Sequence, residues 1–210
     1  MAYIEFKKVS FKGLKDLINI KINKNDFVVI KDHNNLFLID LLQGHEVDKG
    51  SITVDKNNIS NLSGIKLSKY IRKYLGVVFS HDDLLENLTL EENMMLASEI
   101  SLKPGKVNKY LKKLGLTRIK NNYPDELSLY KNKLASIARV LIKNSPIILI
   151  YNIDEIFNKK EELLLNILSE LKGTKTIIIA TENKNIIELA DMIITIGKTK
   201  ITTKKSGDVS

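Results

Sequence analysis

Cysteine is absent from this 210-residue sequence, and histidine occurs only three times. The chain can therefore form neither a disulfide nor a thiolate metal site. The three histidines, His33, His45 and His81, are scattered along the sequence, which argues against a histidine zinc site. The absence of cysteine also suits a reducing compartment such as the cytosol.

Long apolar runs are absent as well. None approaches the roughly 20 residues that a helix needs to cross a bilayer, and residues 1–6 do not resemble a signal peptide. We therefore expect a soluble cytoplasmic protein, or one that a partner holds on the cytoplasmic face of the inner membrane.

The net charge is +8, from 33 basic and 25 acidic residues, but arginine occurs only at Arg72, Arg118 and Arg139. An excess of positive charge permits an acidic partner, either a nucleic acid or an anionic membrane face. Specific phosphate and base recognition usually relies on the planar fork of arginine. Because lysine is interleaved with acidic residues and forms no long block, we expect solvated lysine-rich faces rather than a specific nucleic-acid site.

Two kinds of apolar segment predict strands. Residues 4–6 and 18–22 alternate between apolar and polar, as half-buried antiparallel strands do. Later segments are short continuous runs, at 27–30, 76–79, 147–150, 176–179 and 192–194. Such β-branched runs are typical of parallel strands with helices on both faces. The sequence therefore predicts an α/β fold with a parallel sheet and an antiparallel β edge.

Helical patterns fill the rest of the chain. Residues 36–42 are apolar nearly all round, as in a buried helix. Residues 82–142 contain no strand-like run and predict an all-helical insertion, with breaks at 103–105 and 123–124. We predict one domain over 1–210: an α/β core formed by 1–81 and 143–197, the insertion at 82–142, and a polar, frayed tail over 198–210.

The order of these segments resembles the ATP-binding subunits of ABC transporters over nearly the whole chain. Residues 70–79 are similar to the strand that leads to the family's Q-loop, and residues 84–93 to the segment after it. Residues 123–128 are similar to the start of the signature motif. The likeness is greatest to the branch that includes the cell-division ATPase FtsE and the lipoprotein-release ATPase LolD. It implies a P-loop NTPase-like core and, in active members, a site for ATP and magnesium.

The residues that would hold phosphate in this family are missing. The resemblance implies a GxxxxGK[ST] loop after the strand at 27–30, in which backbone N–H groups surround the phosphates. Residues 31–37 contain no glycine, and Asn35 and Leu36 stand where lysine and a hydroxyl residue belong. Asn34 or Asn35 is predicted to be an ordinary N-cap residue of the helix that follows. The alternative is that the helix dipole still holds an anion there.

The acidic pair that would hold magnesium and activate water also departs from the family pattern. Counted without a gap after the strand at 147–151, its positions are Asn152 and Ile153, and isoleucine cannot accept a proton. Asp154 and Glu155 follow. Shifting the alignment by two residues would keep side chains on the same face of the strand. Two alternatives therefore stay open: a lost pair beside two solvated loop carboxylates, or a displaced pair.

Other nucleotide-contacting positions of the family differ as well. Glu182 stands where a histidine would face the γ-phosphate, and it brings a like charge. Ser80 replaces the longer Q-loop glutamine. After Ser128, Leu129 and Tyr130 replace two signature glycines and would crowd a phosphate at the helix start. Since the family's composite sites pair one subunit's loop with the other's signature, an active partner would not restore turnover.

The segment around Ser80 is the best preserved. In the family, the groove between core and helical insertion receives a coupling helix of the membrane subunit, so the resemblance implies a docking interface here. The alternative is that the segment is preserved only for packing. The candidate interface residues are Phe79, Ser80, His81, Leu84, Leu85 and Leu88.

Together these patterns predict a catalytically degenerate ABC-type subunit, a pseudo-ATPase with neither metal nor nucleotide as cofactor. It would act as a structural or regulatory partner of a membrane permease or an ATPase paralogue. Two alternatives remain: a divergent ATPase that still binds ATP and magnesium, and a basic nucleic-acid-binding module. Because sandwiched ATP commonly holds family dimers together, we expect a monomer in isolation.

Overall fold

The computed structural model describes residues 2–10, 17–31, 37–80, 83–101, 106–151, 154–197 and 201–205, without the side chains of 98–101 and 155–161. The strands are β1 Ile4–Ser10, β2 Ile18–Ile22, β3 Phe27–Lys31, β4 Lys49–Val54, β5 Asn57–Asn58, β6 Leu75–Val78, β7 Ile147–Ile150, β8 Thr176–Ala180, β9 Met192–Ile196 and β10 Ile201–Lys205. The helices are α1 Phe37–Leu42, α2 Gly64–Tyr74, α3 Leu90–Ser101, α4 Lys106–Lys113, α5 Leu129–Lys143, α6 Asp154–Leu171 and α7 Lys184–Ile187. Two 3₁₀ turns cover Thr117–Ile119 and Pro124–Glu126.

The core is a six-stranded sheet in the order β10-β9-β3-β8-β7-β6. β3 pairs in parallel with β8 and β9, and β7 pairs in parallel with β6 and β8. Every residue of β7 and β8 is buried, and so is all of β3 except Lys31. The predicted parallel sheet is confirmed, because its continuous apolar runs are covered on both faces.

A second sheet forms the β edge of the molecule, in the order β2-β1-β4-β5. β1 pairs antiparallel with β2, and Ile4 lies opposite Ile22. β1 also pairs antiparallel with β4, where Ile4 lies opposite Val54. Burial alternates along β2, with its three isoleucines inside and the two polar residues outside. The predicted antiparallel edge is therefore confirmed.

Alternate residues of the parallel strands face two separate hydrophobic clusters. Phe27 and Val29 belong to a helical cluster with residues of α3, α5 and α6. Val28 and Ile30 belong to a β-side cluster with α1, α2 and the antiparallel sheet. Since successive side chains of a strand point to opposite faces, the parallel sheet separates the helical side of the molecule from its β side.

The described residues between 83 and 143 form helices and 3₁₀ turns joined by loops, and they include no strand. α3 begins at a capping box, in which the Thr89 amide donates to Glu92 Oε2 (2.7 Å) and the Glu92 amide donates to Thr89 Oγ1 (3.3 Å). α5 packs against α3 and α4 and also against β6, so it joins the helical side to the core. The predicted break at 123–124 falls at a 3₁₀ turn; the one at 103–105 lies outside the described residues.

The prediction of a frayed tail over 198–210 is wrong for residues 201–205. They form β10, which pairs antiparallel with β9 from Ile201 opposite Ile196 to Lys205 opposite Met192. Residues 202–205 are exposed, and only Ile201 packs against the β-side cluster. Backbone pairing with an edge strand needs no apolar pattern, which is why the polar composition gave no strand signal. The remaining tail residues lie outside the described part of the chain.

Replacing Gly76 with alanine is expected to lower the free energy of unfolding by about 1–3 kcal/mol. Gly76 lies in β6 beneath α5, and an added Cβ would lie 2.7 Å from Val140 Cγ1. Urea titration measures the effect. In a Val140→Ala background the same glycine substitution should cost less, because the clashing methyl group is gone. An equal cost in both backgrounds would contradict this explanation.

Candidate functional site

The carboxyl ends of the parallel strands meet at one edge of the sheet, where open α/β sheets place their ligands. Lys31 ends β3, Tyr151 follows β7, and Thr181 and Glu182 follow β8. Asp154 begins α6, just beyond β7. We call these five residues the strand-end site.

The carboxylate of Asp154 ties the end of β7 to the end of β8. Thr181 Oγ1 donates a hydrogen bond to Asp154 Oδ1, and the Glu182 amide donates to Oδ2 over 2.8 Å. Asp154 is half-buried. The alternative of a solvated loop carboxylate is therefore wrong for Asp154, because it begins a helix and both oxygens accept bonds. The side chain of Glu155 lies outside the described residues.

An ion pair joins the ends of β3 and β8. Lys31 Nζ lies 4.0 Å from Glu182 Oε2, with the two side chains 38% and 44% exposed. The Thr181 amide also donates to Ile30 O (3.2 Å), so Glu182 stays beside β3. Glu182 thus brings the negative charge predicted from the sequence, and Lys31 partly compensates it.

A second polar network, not identified from the sequence, lies beneath this edge. The Tyr151 hydroxyl donates to Asp40 Oδ1 and accepts from Gln43 Nε2, which links β7 to α1 and to the turn after it. The Tyr151 ring is buried and stacks on Phe79, with ring centroids 5.4 Å apart. The available signal was a tyrosine at the end of an otherwise aliphatic buried run, since such a hydroxyl needs a partner.

Several predicted positions lie outside the described residues. They are Asn34, Asn35, Leu36, His81, Asn152 and Ile153. Ser80 is described and exposed, two residues beyond β6. Among the described residues, no group of three or more histidine, cysteine, aspartate or glutamate side chains could hold a metal ion. Nor is any described helix long and apolar enough to cross a membrane.

The signature-like segment starts α5. Ser128 is the exposed N-cap residue, and its side chain makes no capping hydrogen bond. Leu129 is 45% exposed, whereas Tyr130 is half-buried and packs against the helical cluster. Burial raises the pKa of the Tyr130 hydroxyl. Of the two residues, only Leu129 is exposed at this helix start, because Tyr130 packs inward; the crowding of a phosphate here stays a prediction.

A cleft of 420 Å³ separates the helical insertion from the α/β core. Its core wall includes Ile71 and Phe79, and its insertion wall includes Leu85, Leu96 and Arg139. Leu85 and Leu96 are exposed although they are apolar. Two exposed apolar side chains in one cleft make it a candidate interaction site.

The predicted docking residues divide between this cleft and the core. Phe79 and Leu85 line the cleft. Leu84 is buried in the helical cluster, so for this residue the packing alternative holds. Leu88 is half-buried and Ser80 is exposed, and neither is among the described lining residues.

Two polar side chains that the sequence did not single out hold the cleft in shape. Asn93 is buried, accepts from the Leu85 amide (2.8 Å) and donates to Leu85 O and Leu88 O (3.0 Å each). Arg139 Nη1 donates to Asp83 O (2.6 Å) and so fixes the same segment to α5. A buried asparagine within a helical apolar stripe is the signal that could have identified Asn93. The insertion wall is thus formed before any partner binds.

Alkaline pH is expected to destabilise the protein. Burial raises the pKa of Tyr3 to about 12 and the pKa of Tyr70 and Tyr151 still further above the ordinary value. The unfolded chain therefore loses these protons first, and stability falls as pH rises above about 10. Burial lowers the pKa of Lys143, which acts in the opposite direction, but one lysine opposes four tyrosines, since the pKa of Tyr130 is raised as well.

The urea midpoint measured at pH values from about 8 to about 11.5 tests this dependence. Tyr70→Phe should flatten it, because the Tyr70 hydroxyl donates to Leu42 O (2.9 Å) inside the β-side cluster. A midpoint that is constant across this range, or a variant with the same slope as the parent, would contradict the prediction.

Comparison with known proteins agrees with this geometry. A family model described as ABC transporter matches residues 37–158. A putative ABC transporter ATP-binding protein of Mycoplasma genitalium is 29% identical over 196 residues, which cover 88% of this chain and 42% of that protein. The bacitracin export ATP-binding protein of Halalkalibacterium halodurans is 30% identical over 140 residues, covering 62% and 55%. This chain thus spans about half the length of these relatives, or less.

Solved structures show the same fold. The dimeric ATP-binding cassette MJ0796, in a post-hydrolysis state bound to ADP and Pi, superimposes with a TM-score of 0.84 at 23% identity, covering 96% of this chain and 98% of that one. The protein cbiO1 from Clostridium perfringens gives a TM-score of 0.76 at 20% identity, covering 96% and 87%. The architecture is therefore that of an ATP-binding cassette, and the predicted fold class is confirmed. The chain belongs to the ABC transporter family, as an ATP-binding domain.

Proposed function

We propose that this chain is an ATP-binding cassette that has lost ATP hydrolysis and serves as a structural or regulatory subunit. The observation that carries the proposal is the ion pair between Lys31 and Glu182 at the strand-end site. Lys31 is a cation at an edge where phosphate would bind, and a carboxylate of the chain itself already faces it. Both side chains are more than a third exposed, so Glu182 compensates the charge of Lys31 in part without a nucleotide.

The other charges of the strand-end site also disfavour a polyphosphate. Asp154 places a second carboxylate beside Glu182, because its Oδ2 accepts the Glu182 amide. Like charges repel a triphosphate unless a metal ion or a proton intervenes. Asn152 and Ile153 stand where the metal ligand and the general base would be, and residues 31–37 contain no glycine. The family match begins at Phe37, directly after the altered loop sequence.

The partner we propose is a membrane permease subunit or an ATPase paralogue, with the chain on the cytoplasmic face of the membrane. The preformed apolar cleft between core and insertion supports a docked helix, with Leu85 and Leu96 exposed on one wall. Without sandwiched nucleotide, the isolated chain would be a monomer. Cell division and lipoprotein release remain predictions from the sequence, while one relative carries the name of a bacitracin exporter.

The second candidate is a divergent ATPase that uses Asp154 and Glu155 as a displaced acidic pair. Its support is the position of Asp154, which reaches the residues after β8 rather than open solvent. A phosphate-release assay with magnesium and ATP, on the parent chain and on Asp154→Asn, separates the two candidates. Turnover that the substitution abolishes would establish the second candidate; turnover at background in both supports the first.

A further inference from the structure

α2 carries a strongly basic outward face. Four cations lie within its eleven residues, and no acidic residue does. At 3.6 residues per turn, they and one isoleucine fall within an arc of about 120°. All five side chains are exposed. We call this set the basic face; it consists of Ile65, Lys66, Lys69, Arg72 and Lys73.

The opposite face of α2 fixes this orientation. Tyr70 and Tyr74 are buried in the β-side cluster, and Leu67 and Ile71 pack against it. The Tyr70 hydroxyl donates to Leu42 O (2.9 Å), and the Tyr74 hydroxyl donates to Asp55 Oδ2 (3.0 Å). The helix therefore cannot rotate its cations inward without losing buried contacts.

The charges of the basic face are not neutralised by the described residues. No described carboxylate lies within 4.0 Å of Lys66, Lys69, Arg72 or Lys73. The ion pairs among the described residues use other cations. Lys73 Nζ lies 4.8 Å from the centre of the Tyr74 ring, a contact that leaves its charge in place. An uncompensated patch of one sign attracts an anionic surface.

The exposed Ile65 favours a membrane over a nucleic acid as the anionic partner. It is 75% exposed, and it lies on the same arc as the cations. A single exposed isoleucine is ordinary on a protein surface, but beside four cations it adds one apolar side chain that can enter a membrane interface. Nucleic-acid phosphates would gain nothing from an isoleucine, and lysine outnumbers arginine on this face.

α2 also borders the cleft, since Ile71 and the following Leu75 line it. Ile71 belongs to the buried face of the helix, opposite the basic face. The cleft and the basic face are therefore separate surfaces.

We propose that the basic face of α2 binds anionic lipid headgroups, with Ile65 entering the boundary between headgroups and acyl chains. This lipid binding depends neither on a bound nucleotide nor on the proposed loss of ATP hydrolysis. Each lysine or arginine near an anionic membrane strengthens binding about fivefold. Two of the four should therefore account for about a 25-fold difference in affinity.

Co-flotation of the full chain with vesicles tests this proposal. Vesicles of phosphatidylcholine with about 30% phosphatidylglycerol should bind the protein, and pure phosphatidylcholine should not. Binding should weaken between about 0.05 M and about 0.3 M salt. The double variant Lys66→Gln/Lys69→Gln is expected to bind about 25-fold more weakly, and Ile65→Ser about threefold more weakly.

A matched control uses the other basic helix. Lys109→Gln/Lys112→Gln in α4 removes the same charge from exposed positions and should change the affinity less than about twofold. Circular dichroism and the urea midpoint confirm that each variant is folded. Equal weakening by the α4 variant would overturn the proposal in favour of a net-charge effect. So would absence of binding to anionic vesicles, or tighter binding to duplex DNA that Ile65→Ser leaves unchanged.

Discussion

Purified protein supplied with magnesium and ATP is expected to release phosphate no faster than a buffer blank. The described cation of the strand-end site is paired with Glu182. In the alignment without a gap, we predict that Asn152 and Ile153 stand at the positions of the metal ligand and the general base. Loss of a positioned general base alone costs about 10²–10⁴ in rate. Loss of the phosphate-binding loop adds to this, because charge stabilisation is the larger share of phosphoryl-transfer catalysis.

The variants Asp154→Asn and Glu155→Gln make this assay decisive. Asparagine keeps one oxygen that can accept the Glu182 amide, and its amide nitrogen can donate to Thr181 Oγ1, so Asp154→Asn should remain folded. If these residues formed a displaced acidic pair, either substitution would lower a measurable rate by about 10²–10⁴. The loss of hydrolysis that we propose would be refuted by magnesium-dependent turnover in the parent chain that both variants lack.

Nucleotide binding is a separate question and is answered by thermal unfolding with magnesium and ATP. A ligand at a hundredfold excess over its Kd stabilises the folded state by about 2.7 kcal/mol. For a chain of this size, that raises the Tm by about 5–10 °C. We expect no such shift. A shift without turnover would mean that the cassette still binds ATP but cannot hydrolyse it.

Tyr151→Ala is expected to lower the free energy of unfolding by about 3–5 kcal/mol. The ring is buried, stacks on Phe79, and leaves a cavity between β7 and α1 when it is removed. Its hydroxyl also bonds Asp40 and Gln43, so the substitution leaves polar groups without their partner. Urea unfolding followed by circular dichroism measures the loss.

Tyr151→Phe isolates the hydroxyl, and we expect it to account for about 1–3 kcal/mol of the loss. Tyr110→Phe is the matched control, since Tyr110 is half-buried in the insertion, away from this network, and should change stability by less than about 0.5 kcal/mol. If Tyr151→Phe were as stable as the parent, the hydroxyl would not hold α1 to β7. α1 begins directly after the altered loop sequence, so the two hydrogen bonds of the Tyr151 hydroxyl fix the helix that follows this loop to β7.

Much of the fold could be predicted from local pattern. Residues 27–30, 147–150 and 176–179 are continuous apolar runs, and burial on both faces of a sheet leaves little freedom in composition, so β3, β7 and β8 were found. β10 was missed because an edge strand is specified by backbone pairing with β9, which its threonines and lysines do not reveal. A hydrophobic pattern in the sequence indicates a buried strand, and it gives no signal for a strand that is almost wholly exposed.

The candidate site could be predicted only in part. The sequence showed which groups are missing, since the absence of glycine at 31–37 and the residues Asn152 and Ile153 can be read directly. It could not show that Asp154 bonds the residues after β8, because that contact joins positions far apart in the chain. For the same reason, it grouped Leu84 with Leu85, although the first faces the core and the second faces the cleft.

The sequence by itself predicted the family and the α/β class, and it shows that residues 31–37 contain no glycine. These depend on residue order and composition, which can be read from the sequence without a structure. Only the tertiary structure decided which side chains meet at the strand ends and which lie on the surface. The pairing of Lys31 with Glu182, the bonds of Tyr151 to α1, and the outward arc of α2 arise where separate elements meet or where a buried face fixes rotation. Local pattern does not encode such distances, because packing of the whole chain sets them.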